Sequence, residues 1–107
     1  MFYYVYILYS FKDRQFYAGF TTDLEKRIKR HQAGKVISTK DRRPLKLIFY
    51  EAYLNKSDAL RREKYFKTSK GKTTRRTMLK EYLEELNVDE KNKDEIILVS
   101  KKKQLRY

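Results

Sequence analysis

The sequence predicts an α+β fold, with a small three-stranded antiparallel sheet flanked by helices in the order β-β-α-β-α-α. Two runs rich in aromatic and β-branched residues open the chain, a helix-capping pattern follows them, and apolar residues recur at helical spacing in the second half. Because a strand hairpin comes first and most helices come later, this order favours an antiparallel sheet over a doubly wound parallel one.

The first two strands are predicted to form a hairpin. Phe2 to Tyr9 is a continuous aromatic and β-branched run, and Phe16 to Gly19 is a second short run after a polar turn. A basic loop that ends at Pro44 leads into Leu45 to Tyr50, which is the third predicted strand. The first run is too short and too rich in tyrosine to span a bilayer.

A capping pattern predicts the first helix. Thr22 and Glu25 have the capping-box spacing, in which the hydroxyl and the carboxylate satisfy the first free amides of a helix. The helix should run to about Gln32, and Gly34 supplies the left-handed residue at which it stops.

Two more helices are predicted after the third strand. Asn55 or Ser57 can cap the first of them, and Gly71 marks its expected end. The last helix carries a core stripe of apolar residues at helical spacing: Met78, Leu79, Tyr82, Leu83 and Leu86.

The chain has 107 residues, which is the length of one domain. We predict a folded domain over residues 1–86 and a charged C-terminal extension over residues 87–107. Within the extension, Ile96 to Val99 forms either a short strand or part of a tail that orders only on a partner.

The composition favours a polyanionic partner. Lys and Arg number 27 against 14 Asp and Glu, and the net charge of +13 favours nucleic acid first and an anionic membrane surface second. The ten tyrosines and six phenylalanines can stack on bases, although core packing accounts for most of them. The absence of cysteine excludes disulfides, thiolate zinc sites and thiol nucleophiles, and it fits a cytoplasmic location.

Glu63 is the most informative residue of the sequence. At the helical period it lies on the same arc as Ala59, Leu60 and Phe66, so it is predicted to face the core. A core-facing carboxylate must be neutralised, paired or bound to metal. Two interpretations follow: Glu63 holds a cation for phosphate chemistry, or it pairs with Lys67 one turn later.

The first predicted helix offers a cationic pair. Arg27 and His31 lie one turn apart at the border of the stripe formed by Leu24 and Ile28. Arg27 is the better candidate for holding a phosphate, because its planar guanidinium offers a fork of donors and keeps its charge. The alternative is a solvated basic face, which would also include Lys26, Lys29 and Arg30.

An ordered series of short motifs resembles a known family. The series consists of Tyr4-Val5-Tyr6, then Tyr17-Ala18-Gly19, then Thr21 to Arg27 with His31, and finally Leu60 to Glu63 with Lys67. It resembles the GIY-YIG nuclease superfamily from Phe2 to about Lys72, and it is most similar to the stand-alone, single-domain bacterial members. The chain departs from the pattern in the first tripeptide, which begins Tyr-Val, and at Ala18, but both changes keep the tyrosine.

The resemblance implies metal-dependent cleavage of a phosphodiester by a compact core of the predicted fold. Tyr6 and Tyr17 match the tyrosines that line the site, one of which orients or deprotonates the attacking water. Arg27 matches the arginine that steadies the phosphate, and His31 matches a histidine found in many members. Glu63 matches the glutamate that binds one divalent cation, Mg²⁺ or Mn²⁺.

Further residues are assigned to binding. Gly19 is predicted to let the backbone approach the substrate, with an ordinary turn or strand-end glycine as the alternative. Thr39 or Lys40 is the candidate for the place of an asparagine that closes the site in some branches. The cations predicted to contact nucleic acid are Lys26, Arg30, Lys40, Arg42, Arg43 and Lys67.

The sequence therefore predicts a divalent-metal-dependent endonuclease that acts on DNA, guided by substrate structure rather than by sequence. RNA is the alternative substrate, and DNA repair is one role found in the superfamily. The alternative functions are a nucleic-acid-binding protein that has lost turnover, and an adaptor that docks through its basic tail. No organic cofactor and no membrane association are expected, and the sequence does not identify protein partners.

Overall fold

The protein is described here by a computed structural model that covers residues 1–91, with side chains over residues 1–87. Residues 1–72 form one compact unit, and the chain from residue 73 belongs to a second. The elements are β1 (Tyr3–Ser10), β2 (Phe16–Thr21), α1 (Leu24–Gln32), a 3-10 turn (Lys40–Arg42), β3 (Leu45–Tyr53), α2 (Lys56–Phe66), α3 (Ser69–Met78) and α4 (Lys80–Lys91). The predicted α+β class and three-stranded antiparallel sheet are confirmed.

The sheet has the order β2-β1-β3, so β1 is its central strand. Both neighbours run antiparallel to β1, and Tyr6 lies opposite Gly19 on one side and Tyr50 on the other. The pairing with β3 shifts register between Ile7 and Leu8, where one extra residue is inserted. β1 is apolar on both faces because both faces are covered, and this explains why its sequence shows a continuous run instead of an alternation.

The two faces of the sheet carry separate apolar clusters because successive side chains point to opposite sides. Val5 and Ile7 point to the face that packs on α2, whose Ala59 and Phe66 are buried there. Tyr6 and Leu8 point to the other face, where they join Leu45 and are covered by Leu24 and Ile28 of α1. The sheet therefore lies between α1 and α2, with Tyr6 on the α1 side.

The helix caps correct one prediction and confirm two. The N-cap of α1 is Asp23 and not the predicted Thr22, so the helix begins one residue later than the capping box implies. The Asp23 side chain accepts a hydrogen bond of 3.1 Å from the Lys26 amide. Gly34 follows α1 with φ of 75°, as a left-handed stop requires. At α2 the cap is Asn55, which accepts from the amides of Ser57 and Asp58.

Gly71 does not end the helix that carries Glu63. That helix, α2, ends at Phe66, and Gly71 lies buried inside α3. A Cβ built on Gly71 would lie 1.8 Å from the carbonyl oxygen of Tyr65. The glycine is therefore required for close packing between the end of α2 and the start of α3, which is a tertiary cause that local sequence does not show.

Other differences concern the ends and faces of elements. β3 extends three residues beyond its predicted end, to Tyr53. The predicted core position of Leu60 is wrong, because 40% of this residue is exposed, and Met78 is exposed by 41%. Up to residue 91, the segment after β3 contains three helices, because the two helices predicted there are divided into α2, α3 and α4. Leu86 is buried as predicted.

The predicted C-terminal extension lies mostly outside the described residues. Residues 87–91 belong to α4, and the possible strand from Ile96 to Val99 falls beyond the described part. Over the part of the chain that is described, no helix has the length and apolar character needed to cross a membrane.

Replacing Gly71 by alanine should destabilise the fold by about 2 kcal/mol or more, because the added methyl group meets backbone atoms that cannot rotate away. Urea unfolding of Gly71→Ala and of Lys70→Ala, an exposed neighbour in α3, measures the effect. Equal free energies of unfolding for the two variants would show that this helix contact is not tight.

Candidate active site

A chain of hydrogen bonds connects α1, the central strand β1 and the loop before β3. The Tyr6 hydroxyl lies 2.7 Å from Nε2 of His31, and Nδ1 of His31 lies 2.7 Å from the Thr39 hydroxyl. Nε of Arg27 donates to the Tyr6 oxygen at 3.4 Å. Tyr6, His31 and Thr39 have no exposed surface, so the chain is closed to solvent except at its Arg27 end.

The position of α1 brings these groups together. Leu24 and Ile28 pack beside Tyr6 and Leu8, and this contact turns the next positions of the helix, Arg27 and His31, toward the sheet. The spacing prediction placed both at the border of the apolar stripe. Arg27 is there, half-buried, whereas His31 is fully buried inside the α1 face of the sheet.

Gly19 makes room for the Tyr6 ring. The two residues are directly opposed in the β1–β2 ladder, and a Cβ on Gly19 would lie 2.3 Å from both Cζ and the hydroxyl oxygen of Tyr6. From the sequence, Gly19 is predicted to let the backbone approach a substrate. In the structure, the group that lies against Gly19 is the Tyr6 side chain. Only glycine lets the phenol lie across β2.

The two motif tyrosines meet as the sequence predicts. The ring centres of Tyr6 and Tyr17 are 6.3 Å apart, and the Tyr17 ring lies 5.3 Å from the His31 ring in an edge-to-face arrangement. Tyr17 is half-buried, while Tyr6 is fully buried. Tyr17 is therefore the more accessible of the two phenols.

Burial sets the protonation of the site. It raises the pKa of Tyr6 to about 12, although the hydrogen bond from Arg27 acts in the opposite direction. Burial, with the nearby Arg27 charge, lowers the pKa of His31 to about 4. The hydrogen bond to Tyr6 raises the pKa of Arg27. At neutral pH the group therefore consists of a neutral phenol, a neutral imidazole and one charged guanidinium.

Glu63 is the predicted site residue that the structure ties least closely to the others. It lies on α2, its side chain is 21% exposed, and its Oε2 lies 3.3 Å from Nζ of Lys67. The Glu63 charge also raises the pKa of Tyr6, but it does so less than burial and the interaction with Tyr17. Glu63 is thus neither fully inward nor open to solvent, and the pairing with Lys67 that the sequence offered as an alternative is present.

The donor set fits a weakly held Mg²⁺ or Mn²⁺ ion. Among the described residues there is no group of three or more His, Cys, Asp or Glu side chains placed to hold a metal. Glu63 alone would be the protein ligand, and magnesium suits such a site because it keeps several waters and takes substrate oxygens as ligands. Lys67 is 56% exposed and can swing aside, so the ion pair does not block the carboxylate.

The predicted DNA-binding cations differ in how far their side chains are engaged. Lys26 and Arg30 line a concave surface along α1, and Arg30 donates a hydrogen bond of 3.4 Å to the Lys35 carbonyl. Lys40 and Arg43 line a second concave surface beside the 3-10 turn, where Nε of Arg43 donates to the Lys40 carbonyl at 2.9 Å. Arg42 is instead held by Asp13, with 2.5 Å between its Nε and a carboxylate oxygen, and it lowers the pKa of Asp13 to about 2. Arg42 therefore fastens the loop before β3 to the β1–β2 turn.

Two features of the site are not predicted by the sequence. Thr39 is predicted only as a candidate for the place of an asparagine, yet its hydroxyl hydrogen-bonds to the second ring nitrogen of His31. A buried histidine needs a partner at each nitrogen, and that rule could have identified a hydroxyl in this loop. The aromatic rings of Phe2, Tyr4 and Tyr50 form a group for which the sequence gives no signal, because Tyr50 comes from a distant strand. Phe2 and Tyr50 are exposed, and Tyr4 is half-buried.

Comparison with known proteins identifies several relatives of this chain. Relatives include UPF0213 protein YazA of Bacillus subtilis, 51% identical over 57 residues, which are 52% of this chain and 58% of that protein. UPF0213 protein SH2523 of Staphylococcus haemolyticus is 48% identical over 66 residues, 61% of this chain and 79% of that one. The chain thus spans less than two thirds of the Bacillus subtilis relative.

A solved structure and a family model also match. The solution NMR structure of UPF0213 protein BH0048 from Bacillus halodurans is 40% identical, with a TM-score of 0.47 over 75% of this chain and 86% of that one. The model of the GIY-YIG catalytic domain matches residues 2–78. This match covers the sheet, α1, α2 and α3, and the chain belongs to the GIY-YIG family.

Proposed function

We propose that the protein is a divalent-metal-dependent endonuclease that hydrolyses phosphodiester bonds in DNA, guided by the structure of the substrate rather than by its sequence. The observation that carries this proposal is the hydrogen-bonded chain from Arg27 through Tyr6 to His31 and Thr39. This chain joins Arg27, which can bind an anion, to Tyr6 and His31, which can pass a proton between them. Phosphodiester hydrolysis uses the first to stabilise the charge on the phosphate and the second to remove a proton from the attacking water.

Arg27 is the group that would hold the scissile phosphate. Its Nε is fixed on the Tyr6 oxygen, which leaves the terminal nitrogens of the guanidinium as the part of the fork that can bind phosphate oxygens. Its charge is permanent and lies at the accessible end of the chain. Because negative charge accumulates on the phosphate in the transition state, this contact stabilises the transition state more than the ground state.

Tyr6 and His31 would remove the proton from the attacking water together. A phenol with a pKa of about 12 is not ionised at neutral pH, so Tyr6 accepts a proton only while it passes its own to a neighbour. Neutral His31 is that neighbour when its Nδ1–H donates to Thr39 and its Nε2 accepts from Tyr6. The water proton then moves to the Tyr6 oxygen and the Tyr6 proton to Nε2, while the water oxygen forms the new P–O bond and the ester P–O bond breaks. The leaving oxygen departs as an alkoxide that takes a proton from solvent, and His31 later returns its extra proton to solvent.

A divalent ion held at the site would supply Lewis-acid stabilisation of the charge on the phosphate oxygens. Glu63 is the residue that would hold it, as the carboxylate whose charge acts on the Tyr6 phenol and raises its pKa. Lys26, Arg30 and Lys40, which line the concave surfaces beside α1 and the 3-10 turn, would contact the DNA backbone and supply affinity without sequence readout.

A second candidate function is nucleic-acid binding without turnover. The Glu63–Lys67 ion pair favours it, because a permanently paired carboxylate would hold no ion. Such a protein would bind DNA in a salt-sensitive manner that survives loss of Glu63 and of Arg27, and it would cleave no substrate with any divalent metal.

Replacing Glu63 by glutamine should lower metal-dependent nicking of branched or plasmid DNA by about 100-fold or more, because the ion loses its protein ligand. The matched control is Glu25→Gln, since Glu25 also forms an ion pair with a lysine four residues later, Lys29 at 3.1 Å, on a more exposed helix surface than that of Glu63. Gel assays of nicking with Mg²⁺ and Mn²⁺ measure the rates. Equal nicking by both variants would contradict the role of Glu63, and both should keep the stability of the parent within about 0.5 kcal/mol.

His31 should titrate with a midpoint near pH 4, about two units below an ordinary histidine, because burial disfavours the imidazolium. A pKa that is lower in the folded state means that stability is complete above pH 6.5 and falls as the pH drops from 6.5 toward 4, by roughly 3 kcal/mol in total. His31 is the sole histidine, so its NMR Cε1–H signal reports the midpoint directly. A midpoint near 6.5 would show that the ring is solvated, which would contradict the buried hydrogen bonds to Tyr6 and Thr39 on which the proposed proton route depends.

Tyr6→Phe should reduce cleavage more than Tyr17→Phe, because it removes the proton route and leaves Nε2 of buried His31 without its partner. It should also cost about 1–3 kcal/mol of stability, whereas Tyr17→Phe should cost less. Single-turnover rates and thermal unfolding of both variants separate the two effects. A larger loss of rate in Tyr17→Phe would identify Tyr17 as the residue at the attacking water.

A further inference from the structure

Three aromatic rings form a continuous row, which we call the aromatic ladder: Phe2 and Tyr50, which are exposed, and Tyr4 between them, which is half-buried. The ring centres of Phe2 and Tyr4 are 6.4 Å apart, and those of Tyr4 and Tyr50 are 6.2 Å apart. Phe2 is 46% exposed and Tyr50 is 53% exposed. None of the three belongs to either apolar cluster of the sheet. The ladder is therefore not explained by core packing.

The ladder continues the sheet face that holds the candidate active site. Tyr4 and Tyr6 are two residues apart on β1, so their side chains point to the same face. Tyr50 of β3 is paired directly with Tyr6, which places it on that face as well. α1 covers the other end of the face, where Leu8 and Leu45 lie. The ladder is thus the uncovered end of the face, next to Tyr6.

We propose that the aromatic ladder is a stacking platform for unpaired bases of single-stranded DNA that flank the phosphate held at Arg27. This inference rests on the proposed function and specifies its substrate. Aromatic rings on an open sheet surface bind bases through their π faces, and such faces are accessible only when the bases are not stacked in a duplex. The structural cue for cleavage would then be an unpaired segment, such as a single strand, a bulge or a flap.

Charge favours DNA over a protein on this surface. The net charge of +13 opposes association of two copies and favours a polyanion. Arg27 binds Tyr6, the residue that Tyr50 opposes, so a phosphate at Arg27 would put the neighbouring bases beside the ladder. The residue opposite Tyr4 on β3 is Ala52, which is exposed and small and leaves the rings open on that side.

Binding without cleavage tests the platform. Fluorescence anisotropy in EDTA compares a labelled dT12 strand with an abasic strand of the same length and phosphate count. We expect the protein to bind dT12 at least fivefold more tightly than the abasic strand, and Tyr50→Ala and Phe2→Ala each to weaken dT12 binding about fivefold or more without altering the abasic affinity. Tyr50→Phe, which keeps the ring, should stay within twofold of the parent protein.

Leu60→Ala is the matched control, since it removes an exposed apolar side chain from α2, on the opposite side of the sheet. The inference is overturned if the parent binds the two strands equally, if the ladder variants bind dT12 as Leu60→Ala does, or if the variants change only the oligomeric state in light scattering. Because no metal is present, a protein that cleaves nothing but shows ring-dependent binding of dT12 would refute the proposed nuclease and retain the platform. A protein that nicks DNA through Glu63 but shows no ring-dependent binding of dT12 would retain the proposed nuclease and refute the platform.

Discussion

The buried hydrogen bond between Tyr6 and His31 is the constraint on which the site depends. Both side chains are completely removed from water, and a buried polar group without a partner costs about 1–3 kcal/mol. The surrounding structure serves this pairing. Gly19 leaves the space that the phenol occupies, Thr39 satisfies the second ring nitrogen, and α1 is held at the distance that lets His31 reach the sheet. The same residues therefore stabilise the α1 side of the fold and supply its chemical groups.

This burial also separates the charges of the site. With Tyr6 and His31 neutral, Arg27 is the one charged member of the hydrogen-bonded group. Glu63 lies on the helix that packs against the other face of the sheet, and its ion pair is with Lys67 instead of Arg27. If the carboxylate and the guanidinium were paired directly, each would neutralise the other. The guanidinium and the carboxylate therefore keep separate partners, Tyr6 for Arg27 and Lys67 for Glu63.

The sequence predicted the parts of the structure that depend on local rules. The three strands, the Asn55 cap and the left-handed Gly34 follow from residue type and spacing, and each is present. Gly71 was misread because its cause is the Tyr65 carbonyl, a tertiary neighbour that no local pattern reveals. The periodicity around Glu63 correctly placed Ala59 and Phe66 in the buried stripe of α2. The width of that stripe depends on how α2 meets the sheet, so Glu63 is only partly buried and Leu60 falls outside the stripe. Among the site residues, the motifs gave identity and order, whereas the contact between His31 and Thr39 and the aromatic ladder required the register of the strands and the path of the loop.

The residue before Glu63 explains how an exposed helix surface can hold a carboxylate in place. Arg62 pairs with Glu51 of β3, with 2.8 Å between Nε and Oε1, and both side chains are only about a quarter exposed. Its guanidinium also lies 4.4 Å from the centre of the Phe66 ring, which is buried against the sheet. The ion pair ties α2 to β3, whereas the Arg62–Phe66 contact lies within α2 and holds the Arg62 side chain against the buried side of that helix. Since a partly buried charge pair contributes more than an exposed one, the Arg62–Glu51 pair constrains the rotation of α2, and with it the direction of the Glu63 side chain, more than the exposed Lys67 does.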